Sequence, residues 1–188
     1  MFSQDIRPFL PPHLQKFSAQ LRQFPKNYEK WVYATTLPKE IYQGDVVANA
    51  PFALVNTEGN PDRLDVPGMV ISCTCDVQLG QGDFALIAPV HDLDEYRSNS
   101  ELPGQELENH LRALMGNEIS NFFFLPAGQA LKSSFVDLGK MTSISIEYLN
   151  SERGRQRLAS LSQVGHYVLL VKLAYHFTRP ESSDAARS

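Results

Sequence analysis

The strongest constraint on the fold is that the apolar residues after Ile41 occur in short runs. Glycine, proline and polar residues interrupt these runs, and none approaches the roughly 20 residues that cross a bilayer. Runs of this length with β-branched and aromatic residues are typical of strands. The predicted strands begin with residues 46–47 and then cover 69–72, 84–90, 121–125, 134–138 and 141–148. The last two form one bent strand or two short ones, because Gly139 interrupts them.

Polar segments between the runs predict the connections. Gln43, Gly44 and Asp45 carry a turn signal before the first strand, and residues 56–68 have the composition of a loop of about a dozen residues. Residues 80–83 predict a tight turn, which joins the second and third strands into an antiparallel hairpin buried on both faces. Short antiparallel strands with such connections favour a small, strongly bent sheet or barrel.

Three segments have the apolar spacing of helices. An amphipathic helix is expected at residues 12–24, where apolar residues recur every three or four positions. A second helix is expected at 105–116, where a glycine closes its C-terminal end. A third is expected at 162–177, with Ser162 as its cap. The chain is therefore predicted to belong to the α+β class, with helices outside the sheet.

These elements predict one compact domain with two extensions. Residues 1–40 form an N-terminal helical extension that packs on the barrel. Residues 41–177 form the barrel domain, with a helical insertion at about 92–118. The polar tail at 178–188 is expected to be disordered.

Composition narrows the class of protein. The chain has 188 residues and is 43% hydrophobic, which excludes a mainly disordered protein. Its net charge is −4, which argues against a general nucleic-acid coat. The first dozen residues lack the basic and apolar regions of a secretory signal. The two cysteines are one residue apart and cannot form a disulfide framework, so we expect a cytoplasmic protein with reduced thiols.

Three segments, in this order, resemble the MazF/PemK family of toxin–antitoxin ribonucleases. The first is residues 43–47, Gln-Gly-Asp-Val-Val, which is similar to the opening strand of those proteins. The second is residues 67–72, Pro-Gly-Met-Val-Ile-Ser, with residues 86–90, Leu-Ile-Ala-Pro-Val, as the partner strand. The third is residues 134–144, which lead towards the last helix as the closing strand of the family does.

The resemblance covers roughly residues 41–177 and implies a fold and an activity. It implies an SH3-like barrel that is commonly a homodimer and is often neutralised by an antitoxin peptide. It also implies cleavage of single-stranded RNA, for which the family uses neither a metal nor another cofactor.

The residues of the family's catalytic site differ in this chain. The family has an arginine just before the second-strand proline and a threonine or serine just after the third-strand Pro-Ile. Val66 and His91 occupy these positions here. His91 is a candidate acid or base, and Arg63, which is expected in the same loop as Val66, is a candidate to replace the arginine. The alternative is that His91 ends a strand and Arg63 is solvated.

A basic cluster before the last helix is a candidate substrate-binding site. Arg153, Arg155 and Arg157 would contact RNA phosphates or an acidic antitoxin segment, or they form an ordinary solvated loop. The acidic residues Asp92, Asp94 and Glu95 follow His91 closely and would repel RNA, unless they orient the imidazole.

Cys73, Cys75 and Asp76 form the most unusual sequence in the chain. If the strand continues, both thiols lie on one face. One interpretation is a nucleophilic thiol assisted by His91, and another is half of a zinc site, although zinc usually takes Cys-x-x-Cys. The favoured interpretation is a pair of structural thiols, with Asp76 accepting backbone amides in a turn.

Two functions follow from these observations. The first is a toxin of a toxin–antitoxin or related defence system, acting as a metal-independent endoribonuclease with His91 and Arg63. The second is a catalytically inactive barrel of the same ancestry that binds a protein or a nucleic acid. The N-terminal helix and the insertion favour the second, because both add surface.

Overall fold

The computed structural model describes residues 28–55, 57–77 and 82–177. The helix predicted at 12–24 and the tail at 178–188 lie outside the described residues, as does half of the turn predicted at 80–83.

In the part of the chain that the structure describes, seven antiparallel strands form the sheet. They are β1 (Val46–Val55), β2 (Pro61–Val70), β3 (Phe84–Asp92), β4 (Phe122–Leu125), β5 (Ser134–Asp137), β6 (Thr142–Ser145) and β7 (Arg157–Ala159). The order across the sheet is β4-β5-β3-β2-β1-β7. The central strand, β3, pairs with β2 along one edge, and along its other edge it pairs with β6 in its first half and β5 in its second half.

The α+β class and the antiparallel sheet are confirmed, but the sheet is not closed into a barrel. Its edge strands, β4 and β7, lie at opposite ends of the strand order. They contain only four and three residues, respectively. Such short edges offer few backbone groups for the pairing that closure requires.

The predicted loop at residues 56–68 is wrong, because most of it is β2. The hairpin register runs from Val55 opposite Pro61 to Val46 opposite Met69, so only residues 56–60 connect the strands. Residues 61–65 are all exposed. A strand pair that extends into solvent needs few apolar side chains, and this segment therefore has the composition of a loop.

Five helices accompany the sheet in the described residues. They are α1 (Thr74–Val77), α2 (Leu93–Asn99), α3 (Gly104–Met115), α4 (Ile146–Asn150) and α5 (Gln163–Phe177). Two of the predicted helices, α3 and α5, are confirmed. Ser162 caps α5, because its Oγ accepts a hydrogen bond from the Gly165 N–H at 3.0 Å.

The interruption predicted at Gly139 is also confirmed. A 3-10 helix, Leu138–Lys140, separates β5 from β6, and Asp137 caps it by accepting the Gly139 N–H at 2.9 Å. The predicted strand at 141–148 is too long, because α4 begins at Ile146. The two short strands, β5 and β6, pair with the same edge of β3.

Two hydrophobic clusters position the far end of β3. The larger one packs α5 against the sheet and includes Val90 and Leu131. A smaller one, Leu93, Leu111, Leu114 and Phe135, attaches α2 and α3 to β5. Lys172 of α5 is buried, and burial lowers its pKa to about 8. Its ammonium donates to the carbonyl oxygens of Asn117 and Ile119, just beyond the end of α3.

Within the described residues, no helix combines the length and the apolar character needed to cross a membrane.

The backbone at Val32 lies close to α5, and this contact gives a first prediction. An added Cβ at Gly165 would lie 2.2 Å from the Val32 carbonyl oxygen, so Gly165→Ala must separate the helix from this segment. We expect a loss of about 1–3 kcal/mol in the free energy of unfolding, measured by urea denaturation. Gly104→Ala is the matched control, since nothing lies within 4 Å of its Cβ and it should change stability by less than about 0.5 kcal/mol. Equal stabilities of the two variants would contradict this packing.

Candidate binding cleft at His91

A cleft of about 540 Å³ opens where β3 ends and α2 begins. It lies between β2 and the segment that leads into β5. Its lining residues are Leu64, Val66, Pro67, Val90, His91, Asp92, Glu95, Tyr96, Asn99, Ala130, Leu131, Lys132, Ser134 and Leu158. One part of this lining is apolar and the other carries titratable and polar groups. We call it the His91 cleft.

The apolar wall of the His91 cleft depends on the alternation of side chains along β2. Leu64 and Val66 are two residues apart and therefore share one face of the strand. Leu131 and Leu158 add to this wall from the segment before β5 and from β7. Leu64 is 39% exposed, so the wall is open to a binding partner.

The polar end is organised by the start of α2. Asp92 caps this helix, because its Oδ1 accepts the N–H groups of Asp94 at 2.8 Å and Glu95 at 3.1 Å. The Lys132 ammonium lies 3.4 Å from the other carboxylate oxygen of Asp92. The hydrogen bond from Glu95, together with these neighbours, lowers the pKa of Asp92. Asp92 is therefore ionised at neutral pH, and Lys132 is already paired with it.

His91 is half-buried at the base of the polar end. It lies opposite Phe135 in the β3–β5 ladder, and the centroids of the two rings are 5.3 Å apart. Burial lowers the pKa of His91, and the charge of Lys140 lowers it further, while Asp137 and Glu95 act in the opposite direction. The imidazole is therefore neutral at pH 7 and suited to accept a proton or a hydrogen bond.

Tyr96 is a cleft residue that sequence reasoning missed. Its hydroxyl is hydrogen-bonded to His110 Nε2 of α3 at 3.1 Å, and its ring meets Phe135 edge-on at 5.1 Å. Asp92 followed by Asp94 and Glu95 is typical of the start of a helix. This pattern predicts a helix directly after His91 and would have placed Tyr96 beside it.

The structure brings together the two positions at which this chain departs from the MazF/PemK pattern. Val66 and His91 line the same cleft, from neighbouring strands. Arg63 does not line it. Arg63 directly precedes Leu64 in β2, and its Nε lies 3.5 Å from Oδ1 of Asp65. Alternation along β2 places Arg63 and Asp65 on the face opposite Leu64 and Val66.

The three arginines before α5 do not form one open patch. Arg157 belongs to β7, and its side chain is only 11% exposed because it pairs with the buried carboxylate of Asp45 at 3.2 Å. Arg157 also donates to the backbone carbonyls of Lys39 and Glu40. Arg153 lies 3.7 Å from Asp65, and Arg155 is exposed. The side chain of Arg157 is therefore fixed by contacts within the protein.

Cys73 and Cys75 are both exposed, so the interpretation as structural, buried thiols is wrong. The strand does not continue through them, because α1 begins at Thr74. The Asp76 carboxylate lies 3.6 Å from Cys75 Sγ. Neither cysteine lines the His91 cleft. Among the described residues, no group of three or more histidine, cysteine, aspartate or glutamate side chains is arranged to hold a metal ion.

No protein-family model matches this chain, and a search of curated proteins found no matching sequence. Function must therefore be argued from the cleft and from the sequence resemblance.

The surroundings of His91 predict two opposite pKa changes. Lys140→Met removes a positive charge and should raise the pKa of His91, whereas Glu95→Gln removes a negative charge and should lower it. Proton NMR titration of the imidazole measures both, with His91→Gln to assign the signal. Shifts in the same direction would contradict the arrangement.

The lowered pKa of His91 also has a consequence for stability. Its folded-state pKa lies below its ordinary value of 6.5, so protonation favours the unfolded chain. The contribution of His91 is complete above pH 6.5 and is lost as the pH falls through the folded-state pKa. As the pH falls below 6.5, the free energy of unfolding of His91→Gln should therefore decrease less steeply than that of the parent protein.

The burial of Arg157 predicts different outcomes for two neighbouring arginines. Arg157→Ala leaves the Asp45 carboxylate buried without its cation, which should cost about 3–5 kcal/mol in unfolding free energy. Arg155→Ala should stay within about 0.5 kcal/mol of the parent, because Arg155 is exposed. Adding Asp45→Asn to Arg157→Ala should recover part of the loss. Similar effects of both single substitutions in urea denaturation would contradict this role.

Proposed function

We propose that the protein is a divergent MazF/PemK-like protein whose His91 cleft binds a segment of a partner protein and does not cleave RNA. The carrying observation is that Val66 and His91, at the positions of the family's arginine and threonine or serine, line one cleft. This supports a site at the position that the resemblance implies, with both side chains changed. The resemblance favours an antitoxin as the partner and a homodimer as the assembly.

The charges of the cleft favour a protein segment over RNA. Two of its lining residues are acidic, Asp92 and Glu95, and its lysine, Lys132, is paired with Asp92. Among the residues that the structure describes, no arginine contributes to the lining. A phosphate backbone needs unpaired cations, whereas this polar end suits a basic side chain.

The apolar wall supplies the second part of the recognition. Leu64 and Val66 offer an open hydrophobic surface directly beside the acidic end. A segment with a bulky apolar residue next to an arginine or lysine would bury the first against this wall and pair the second with Glu95.

Endoribonuclease activity is the second candidate, and one observation favours it. His91 is neutral at pH 7 and shares its cleft with a lysine, so a base and a cation lie in the same site. The acidic residues Asp92 and Glu95 oppose this function, because they offset the positive charge of Lys132 that would stabilise a phosphorane.

Peptide selection tests the binding proposal. Random linear peptides displayed on phage are panned on the purified protein, and enriched sequences are synthesised and measured by fluorescence anisotropy. We expect an apolar residue beside a basic one. Leu64→Asp should weaken binding at least about tenfold, because it removes the apolar wall at an exposed position. Arg63→Ala, one residue away on the opposite face of β2, is the matched control and should bind normally. Equal binding by both variants would reject the cleft as the site.

Incubation with RNA separates the two candidate functions. Mixed-sequence single-stranded RNA is incubated with the protein in EDTA, and any new ends are mapped. The binding proposal expects intact RNA. Cleavage that is lost in both His91→Ala and Lys132→Ala would establish the nuclease instead. A parallel Arg63→Ala reaction tests the role that the sequence suggested for that arginine.

A further inference from the structure

Two thiols meet on the surface at the opposite end of β2 from the His91 cleft. Cys73 and Cys75 are exposed, and their sulfur atoms are 3.0 Å apart. They are the only cysteines in the 188-residue chain. Each thiol therefore has one intramolecular partner.

The start of α1 holds the two thiols together. The Cys73 carbonyl accepts the N–H groups of Asp76 at 3.0 Å and Val77 at 3.3 Å, so the chain turns between the cysteines. Val77 is buried in a hydrophobic cluster and anchors this turn. In an extended strand, residues two apart share a face but their side chains lie about 6–7 Å apart. The turn is what brings the sulfurs close.

Thr74, between the two cysteines, connects them to a second cleft. Its Oγ1 accepts the Gln43 N–H at 3.2 Å. The Gln43 side-chain amide donates to the Ile71 carbonyl at 2.6 Å, which turns its Oε1 towards His166 Nε2 at 2.8 Å. Thr74, Gln43 and His166 all line this second cleft, which has a volume of about 500 Å³. A movement of Thr74 therefore changes the wall of the second cleft.

We propose that Cys73 and Cys75 form a redox-active dithiol that closes to an intramolecular disulfide when it reacts with a peroxide, and that closure alters the second cleft through Thr74. This site is separate from the His91 cleft and does not rest on the proposed function. The proposal stands on the exposure of both thiols, on the distance between their sulfur atoms and on the contact of Thr74 with Gln43.

The reaction balances with hydrogen peroxide as the oxidant. The Cys73 thiolate attacks one peroxide oxygen, the O–O bond breaks, and the departing hydroxide takes up the thiol proton as water. Cys73 is now a sulfenic acid. The Cys75 sulfur attacks it, the S–O bond breaks, and the hydroxide leaves with the Cys75 proton as a second water. Two thiols and one peroxide thus give one disulfide and two waters, with both sulfurs oxidised and both oxygens reduced.

The hydrogen bond between the thiols indicates which cysteine reacts first and which reacts second. The Cys75 thiol donates to Cys73 Sγ, and this bond raises the pKa of Cys75. Cys75 therefore keeps its proton more readily, and Cys73 is assigned as the thiol that attacks the peroxide first. Cys75 is the resolving thiol.

Intact-mass measurement tests the closure. The reduced full-length protein is treated with stoichiometric hydrogen peroxide and then with iodoacetamide. We expect a monomer about 2 Da lighter than the reduced chain and with no alkylated cysteine. Cys73→Ser should remain largely alkylated, while Cys75→Ser should accumulate a sulfenic acid that dimedone traps. A wild-type product that is mainly a disulfide-linked dimer, a sulfinic acid or unreacted dithiol would overturn the proposal.

Proton NMR of His166 tests the connection to the second cleft. Oxidation should shift the His166 imidazole signal in the wild-type protein, because Gln43 relays the movement of Thr74, and dithiothreitol should reverse the shift. Cys75→Ser is the matched control, since it cannot close the disulfide and should show no such shift. An unchanged His166 signal in a protein shown by mass to be oxidised would contradict the relay.

Discussion

The buried carboxylate of Asp45 is the interaction on which most of the structure depends. Its side chain is fully buried at the start of β1. One oxygen accepts the Ser160 hydroxyl at 2.5 Å, and the other accepts the Tyr42 N–H at 3.0 Å and Arg157 at 3.2 Å. Burial raises the pKa of Asp45, and these hydrogen bonds and the guanidinium oppose that shift. The carboxylate is thereby connected to a segment before β1 and to a strand more than a hundred residues later. Breaking this set would leave a charge inside the protein.

The His91 cleft depends on this carboxylate for part of its shape. Arg157 and Leu158 are successive residues of β7, so their side chains lie on opposite faces. Arg157 is fixed by Asp45, and Leu158 therefore projects towards the His91 cleft. The glycine before Asp45 is required as well, because Gly44 has φ +90° and a Cβ there would lie 2.7 Å from the Leu161 side chain. The Gln-Gly-Asp sequence thus does more than turn the chain, since it holds the last strand in place.

Local signals predicted the elements whose burial agrees with their composition. From Ile87 to Val90 the strand β3 is a buried apolar run, α3 and α5 have helical spacing, and the interruption at Gly139 gives two short strands. The hairpin predicted to be buried on both faces is wrong at the start of β3, where Phe84 is 66% and Leu86 42% exposed. Where composition and burial disagree, prediction failed. Residues 61–65 are mostly polar, with Leu64 as the exception, because both faces of that part of the hairpin are exposed, and no single-chain pattern distinguishes such a strand from a loop.

The candidate site was predictable only in part for the same reason. His91 could be located because it follows an apolar strand in a recognisable sequence, whereas the different fates of Arg155 and Arg157 depend on Asp45, which is distant in sequence. Arg63 was expected to reach the cleft from a flexible loop, but a strand fixes the face on which each side chain lies. The cysteines were interpreted as structural thiols because free cysteines are usually buried, and the turn at α1 exposes them instead.

The two sites lie at opposite ends of the same antiparallel pair, which bears on how they can influence each other. The His91 cleft uses Val66 of β2 and the end of β3, whereas the dithiol follows the other end of β2, near the start of β3. From Val66 to Ser72 an extended chain covers roughly 20 Å. The register between the sites is continuous, with Gly68, Met69 and Val70 opposite Pro89, Ala88 and Ile87, and all six are buried. A packed ladder of this kind has no second arrangement of similar energy, because a shift of one residue would move every buried side chain to the opposite face, where it would not fit its neighbours. The effect of oxidation should therefore stay with Thr74 and the second cleft, and the His91 cleft should keep its shape in both redox states.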